Sequence, residues 1–300
     1  MAKIMVSGAT GLVGSELLPL LQAGDYGVSR LVREYSAVDG GDVFWDPVAG
    51  ELDTAALEGV EAVVHLAGEN IAAGRWNNAR KKRIRESRVD GTKLLCAKLA
   101  EMPTPPKVLI CASAIGYYGE RGDAELAEEA GAGEGFLPDV CREWEESTEA
   151  AASAGIRVIR LRIGIVLSPR GGALRKMLTP FKMGAGGKVG NGHQYMSWIS
   201  LDDLTAAIVH CIENESISGA VNAVAPESVT NKVFTKTLGK VLKRPTMFPL
   251  PAFAAKLVFG EMAEALLLCS SRVVPKVLSE SGFEFTHPEL ESALRHLLEK

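Results

Sequence analysis

The residues with the clearest chemical spacing stand near the N-terminus: Gly8-Ala9-Thr10-Gly11-Leu12-Val13-Gly14, a G-x-x-G-x-x-G series. Glycine at these intervals lets a chain turn tightly and bring its backbone close to a ligand. Where such a turn joins a strand to a helix, the helix N-terminus faces the pyrophosphate of a dinucleotide. The next apolar run ends in Arg30-Leu31-Val32-Arg33, without the acidic residue that binds a ribose 2′-hydroxyl. A guanidinium there suits a 2′-phosphate, through paired charge-assisted hydrogen bonds. The two features predict NADP(H), with Gly8, Thr10, Gly11, Leu12, Val13, Gly14 and Arg33 as contacts. Glu34 is the residue that could instead play the acidic role.

The elements that must position these residues alternate. Strands are predicted over 3–7, 28–32, 42–45, 62–66, 108–112 and 157–161, and helices over 13–23, 78–101 and 140–154. That order implies an α/β fold, a Rossmann-type doubly wound parallel sheet covered on both faces. Leu66-Ala67-Gly68 then ends a parallel strand, where α/β sheets bind ligands.

The alternation loosens after residue 167, and glycines crowd residues 171–192. We expect residues 1–167 to form the nucleotide domain, with about 193–225 returning to it. Residues 168–300 should form mainly a smaller C-terminal substrate domain. Gly184, Gly186, Gly187, Gly190 and Gly192 predict a loop that closes over a ligand, with Gln194, Tyr195 and Trp198 supplying hydrogen bonds and an aromatic wall for the substrate. Helices are expected over 202–213, 231–242, 275–281 and 288–299, and a strand over 220–224.

Composition narrows the function classes. The formal charge is −4 and gives no general reason for nucleic-acid binding. The basic run from Arg75 to Arg88 falls on a predicted crossover helix and reads as a solvated face. The five cysteines have no C-x-x-C spacing, which fits a reducing compartment and argues against a disulfide framework. The five histidines are scattered, so no metal site is expected. Neither a signal peptide nor a membrane span is read: charges and prolines interrupt the apolar stretch 248–269. The expected location is cytoplasmic.

These residues resemble the extended short-chain dehydrogenase/reductase superfamily in the GATGLVG turn, in His65-Leu66-Ala67-Gly68 and in Asp90-Gly91-Thr92. The similarity is closer to its atypical "epimerase family protein" branch, which is nucleoside-diphosphate-sugar epimerase-like and includes members linked to cell or chloroplast division. Leu66–Ile71, Gly116-Tyr117-Tyr118-Gly119, Trp144-Glu145, the glycine-loop block through Gln194, Trp198-Ile199 and Asp202-Asp203 carry it. The resemblance implies that Val32, Arg33, Leu66, Ala67, Arg88 and Arg162 touch NADP(H).

The superfamily's Tyr-x-x-x-Lys pair is missing. One register puts Cys141 and Glu145 at its positions; a shift by one puts Val140 and Trp144 there. Ser113 matches the superfamily's serine in one count and Ala114 in another, and Tyr117 and Tyr118 are substitute acids. Two functions follow: an NADP(H)-dependent oxidoreductase or epimerase on a small substrate, or an NADP(H)-responsive regulatory protein read by a protein partner.

Overall fold

The computed structural model describes residues 1–34 and 40–299. Its first half runs β1 (Lys3–Ser7), α1 (Gly14–Ala23), β2 (Gly27–Val32), β3 (Val43–Asp46), β4 (Glu51–Leu52), β5 (Val60–His65), α2 (Asn78–Ala100), β6 (Val108–Ala114), β7 (Glu125–Leu126), α3 (Phe136–Glu146), α4 (Glu149–Ser153) and β8 (Arg157–Ile163). The second half runs β9 (Ile165–Leu167), α5 (Gly172–Lys182), β10 (Tyr195–Met196), β11 (Trp198–Ser200), α6 (Leu201–Glu213), β12 (Gly219–Ala223), β13 (Val229–Thr230), α7 (Asn231–Leu242), α8 (Ala252–Phe259), β14 (Arg272–Val273), α9 (Lys276–Glu280) and α10 (Leu290–Leu298).

Seven strands lie parallel in the order β12-β8-β6-β5-β1-β2-β3, and β4 adds antiparallel at the β3 edge. Strands buried on both faces read as continuous apolar runs, as β1, β5 and β6 do. On one face Ile4, Val6, Val64, Ile110 and Ile159 pack with Leu17 and Leu21 of α1 and Leu204 and Ile208 of α6. On the other, Met5, Val63, Leu109 and Val158 pack with Leu95 and Leu99 of α2, Trp144 of α3 and Ala151 of α4. A second core joins α5, α7 and α10 through Leu174, Leu178, Phe181, Phe234, Leu238 and Leu294. Among the described residues, no helix is long and apolar enough to cross a membrane.

Two local expectations need correction. The helix expected over 140–154 starts at Phe136 and divides into α3 and α4. At the break the Ser147 hydroxyl donates to the Glu143 carbonyl (2.7 Å) and the Thr148 hydroxyl to that of Glu145 (2.6 Å), competing with the helix ladder. The glycine-rich span also contains a full helix, α5. Between Gly172 and Gly184 there is no glycine, and Leu174, Leu178 and Phe181 recur at helical spacing on a buried face.

Candidate functional site

The strand order reverses between β1 and β5, and α/β sheets take ligands in the crevice beyond the carboxyl ends at such a point. Here the two strand ends are locked together by glycine. Gly8 has φ +68°, and a Cβ on it would stand 2.8 Å from the Leu66 carbonyl carbon and 2.9 Å from Ala67 N. A Cβ on Gly14 would collide with the Gly8 carbonyl oxygen and lie 2.7 Å from Ala9 Cα. A Cβ on Gly11 would meet only the Gly8 oxygen, at 3.1 Å, and Thr10 and Gly11 are exposed. Two glycines therefore close the turn onto β5 and α1, while the third leaves open backbone at the start of α1. Leu12 and Val13 are half-buried there.

Ser7, which sequence reasoning did not single out, supports the turn. Its Oγ accepts the Leu66 N–H (3.1 Å) and lies 2.6 Å from His65 Nδ1. Burial pushes the His65 pKa down to about 4, so the ring is neutral near pH 7. The available signal was a polar residue at the last position of each of two apolar strands.

The remaining nucleotide-side residues border this crevice. Val32 is half-buried at the end of β2, and Arg33 and Glu34 follow it exposed. Residues 35–39 lie outside the described set. Arg30 forms an ion pair with Asp42, which leaves Arg33 as the guanidinium just beyond the strand end. Leu66 and Ala67 are half-buried and Gly68 is exposed. Arg88 reaches back from α2 to donate to the Glu69 carbonyl (3.0 Å) and lies 5.1 Å from the Trp144 ring. Burial lowers its pKa from the ordinary guanidinium value. Its neighbours on α2 are spent on ion pairs: Lys81 with Glu261 (2.8 Å) and Arg85 with Glu143 (2.5 Å).

A buried polar network closes the carboxyl ends of β6, β8 and β12. Ser113, Arg162 and Asn222 form one row across the three strands, because Ser113 pairs with Arg162 and Arg162 with Asn222. Glu145 of α3 faces them. Arg162 donates Nε to Glu145 Oε1 (2.8 Å) and Nη2 to Oε2 (2.9 Å), a two-pronged buried ion pair. Arg162 Nη1 donates to the Tyr118 hydroxyl (2.9 Å) and the Glu128 carbonyl (3.0 Å). The Ser113 hydroxyl donates to Glu145 Oε1 (2.7 Å), and the Tyr118 hydroxyl donates to Asn222 Oδ1 (2.7 Å). Burial pulls the Arg162 pKa down, but the Glu145 carboxylate outweighs it and the net direction is up.

This geometry revises several expectations. Arg162 is 4% exposed and its guanidinium donates to Glu145, Tyr118 and the Glu128 carbonyl, so it ties strands together where a cofactor contact was expected. Tyr118 is fully buried, and desolvation raises its pKa. Tyr117 differs: it is half-buried, the Arg162 guanidinium lies 3.6 Å from its ring centroid, and its hydroxyl has no hydrogen-bond partner among the described residues. Cys141 is buried, and desolvation pushes its thiol up to about 12, so it is no nucleophile near neutral pH.

The proposed substrate wall is also rearranged. Trp198 is fully buried in the second core with Leu167 and Phe234 and lines no open cleft. The Gln194 amide donates to the Val189 (3.1 Å) and Leu267 (2.8 Å) carbonyls, fixing the glycine loop from inside. Tyr195 is half-buried, with the Arg272 guanidinium 5.4 Å from its ring. The loop glycines serve backbone packing: Gly190 N–H donates to the Leu250 carbonyl (2.9 Å), and a Cβ on Gly187 would collide with the Phe248 carbonyl.

Comparisons with known proteins agree with this architecture. Residues 4–223 match the model of the NAD dependent epimerase/dehydratase family, and residues 250–297 match a domain of unknown function. An epimerase family protein of Mycobacterium bovis is 43% identical over 98% of this chain and 96% of its own. The crystal structure of the human epimerase family protein SDR39U1 with NADPH superposes with a TM-score of 0.91 at 33% identity, covering 99% of both chains. A UDP-glucose 4-epimerase of Thermotoga maritima, 19% identical over 99% of this chain and 97% of its own, shares the fold with a TM-score of 0.76. The glycine turn, the strand order and these matches lead to one assignment: the chain belongs to the NAD dependent epimerase/dehydratase family.

Proposed function

We propose that the chain binds NADP(H) in the β1–β5 crevice and acts as an oxidoreductase or epimerase on a small substrate. The observation that carries this reading is the glycine turn, where Cβ atoms on Gly8 and Gly14 would fill space that backbone now occupies and Gly11 leaves the α1 N-terminus open. The human relative solved with NADPH supports the same choice of cofactor. Gly8, Thr10, Gly11, Leu12, Val13 and Gly14 would hold the pyrophosphate, and Val32 and Arg33 the 2′-phosphorylated ribose. Leu66, Ala67 and Gly68 would line the crevice, with Arg88 bracing them.

When bound, NADPH supplies a hydride. The chain's own task is then to manage a proton, and the Tyr117 hydroxyl is the group left to give one to a substrate oxygen. Ser113 and Tyr118 act through position, held by Glu145, Arg162 and Asn222. Tyr195 would bound the substrate side, on the loop that Gln194 fixes from inside. Five unpaired cysteines suit a reducing, cytoplasmic setting.

The regulatory reading rests on one observation: the carboxylate of Glu145, which stands at the missing lysine's position in one of the two registers, engages Ser113. NADPH oxidation with a panel of carbonyl compounds and quinones separates the two. Turnover that falls about 100-fold or more in Tyr117→Phe, within the usual range for losing a general acid, supports the enzyme. Tight NADPH binding with neither oxidation by any member of the panel nor epimerisation of a nucleoside-diphosphate sugar supports the regulator.

A further inference from the structure

Away from the crevice, the fold gathers three metal-ligating side chains that the sequence scatters. Asp202 stands in the first turn of α6, His287 precedes α10, and His296 lies in the last turn of α10. One ligand atom from each lies within 4.8 Å of the other two. The group is braced from behind by Asp203, which is fully buried. Asp203 Oδ1 accepts the Thr286 N–H (2.7 Å), and Oδ2 accepts the His287 N–H (3.1 Å) and the Ser200 hydroxyl (2.9 Å). The backbone of His287 is thereby fixed to the first turn of α6, beside Asp202.

The two rings then meet. His296 Nε2 donates to Asp202 Oδ2 (2.7 Å), and its ring stacks on His287 with centroids 4.2 Å apart. His287 is 9% exposed, and its Nδ1 is buried with no hydrogen-bond partner among the described residues. An orphaned buried polar atom in a native fold calls for a physical reason, and a bound ion is one.

We propose that Asp202, His287 and His296 bind a divalent transition-metal cation, with Zn²⁺ the best match. Two imidazole nitrogens and one carboxylate oxygen favour Zn²⁺ over the oxygen-seeking Mg²⁺ and Ca²⁺. Bonds of about 2.0–2.2 Å in a tetrahedron set donor atoms roughly 3.4 Å apart, so closing from within 4.8 Å requires the stacked rings to tilt until their in-plane nitrogens converge on one cation. The cation replaces the hydrogen between His296 Nε2 and Asp202 Oδ2, and the imidazole proton moves to Nδ1. The side chains of His296 and Asp202 are 43% and 42% exposed, which leaves an entry path and room for water as the fourth ligand. The C-terminal carbonyls of α10 add favourable partial charge. The site shares no residue with the nucleotide crevice; its metal fastens α10, an outer helix of the second core, to α6 on the sheet.

Calorimetric titration of the tag-free chain with ZnCl₂, with Co²⁺ absorption as a second readout, tests this. The expected result is one equivalent of Zn²⁺, tetrahedral Co²⁺ bands and a raised Tm. His296→Ala removes an exposed side chain, so it should fold, retain NADPH binding and weaken Zn²⁺ binding by more than the roughly 10–100-fold typical of losing an outer-sphere partner. His287→Gln, checked for folding by circular dichroism, should do the same. No saturable Zn²⁺ binding at millimolar metal, equal Zn²⁺ affinity in His296→Ala and wild type, or Mg²⁺ bound as tightly as Zn²⁺ would overturn the proposal.

Discussion

Arg162 and Glu145 show how much a single residue's role depends on partners distant in sequence. The sequence offered Ser113, Tyr118 and Arg162 as separate candidates, and Glu145, in one of two registers, as a substitution at a missing lysine. Their union with Asn222 was not legible, because it depends on β6, β8 and β12 being neighbours in register. Replacing one member leaves a buried charge without its partner, which typically costs about 3–5 kcal/mol. Arg162→Met should therefore lower the denaturation midpoint severely, whereas Glu145→Leu/Arg162→Met should recover much of the loss. Denaturant titration of both variants checks this, and a double variant no more stable than the single would contradict the pairing. His65 gives a pH signature at the same scale. Burial holds its folded pKa near 4, against about 6.5 in an unfolded chain. The unfolded state thus binds the proton more readily, and stability declines as pH falls from about 6.5 to 4. The loss approaches roughly 3 kcal/mol. In His65→Gln the midpoint difference between pH 7.5 and pH 5 should shrink.

The elements were legible where periodicity was long and uninterrupted. Strand β1 and helices α6 and α7 stand within a residue of their expected bounds, since alternating apolar runs and helical spacing dominate those segments. Helix α5 was obscured because glycines at and beyond its ends dominate the composition of 171–192, while residues 173–183 contain none. The same glycines suggested a mobile lid. They instead allow the loop to lie against the Phe248–Leu250 backbone, a contact between segments far apart in the chain and invisible to local pattern. Gly187→Ala tests this directly: its Cβ would meet the Phe248 carbonyl, so the loop must shift. We expect a loss of about 1–3 kcal/mol, typical of overpacking, in thermal or chemical denaturation. Unchanged stability would mean that the loop yields freely and that the lid reading deserves revival.

At the scale of the whole molecule, the α/β architecture was readable because apolar strands alternate with helical spacing along the first half, and the proposed nucleotide crevice was suggested by the glycine turn between the first strand and helix. The substrate side was not, since Trp198 and Gln194 serve the second core and the loop's interior. What unites the molecule is the crevice at the β1–β5 reversal, where we propose that Arg33 selects a 2′-phosphate. Arg33→Asp should reduce NADPH affinity by about 1.5–3 kcal/mol, the usual worth of a hydrogen bond to a charged group. The most direct measurement is calorimetric titration of the wild-type chain with NADPH and with NADH under the same conditions. Saturable NADPH binding is expected, about tenfold or more tighter than NADH by that same interaction. Equal affinities for the two, or no binding of either, would contradict it.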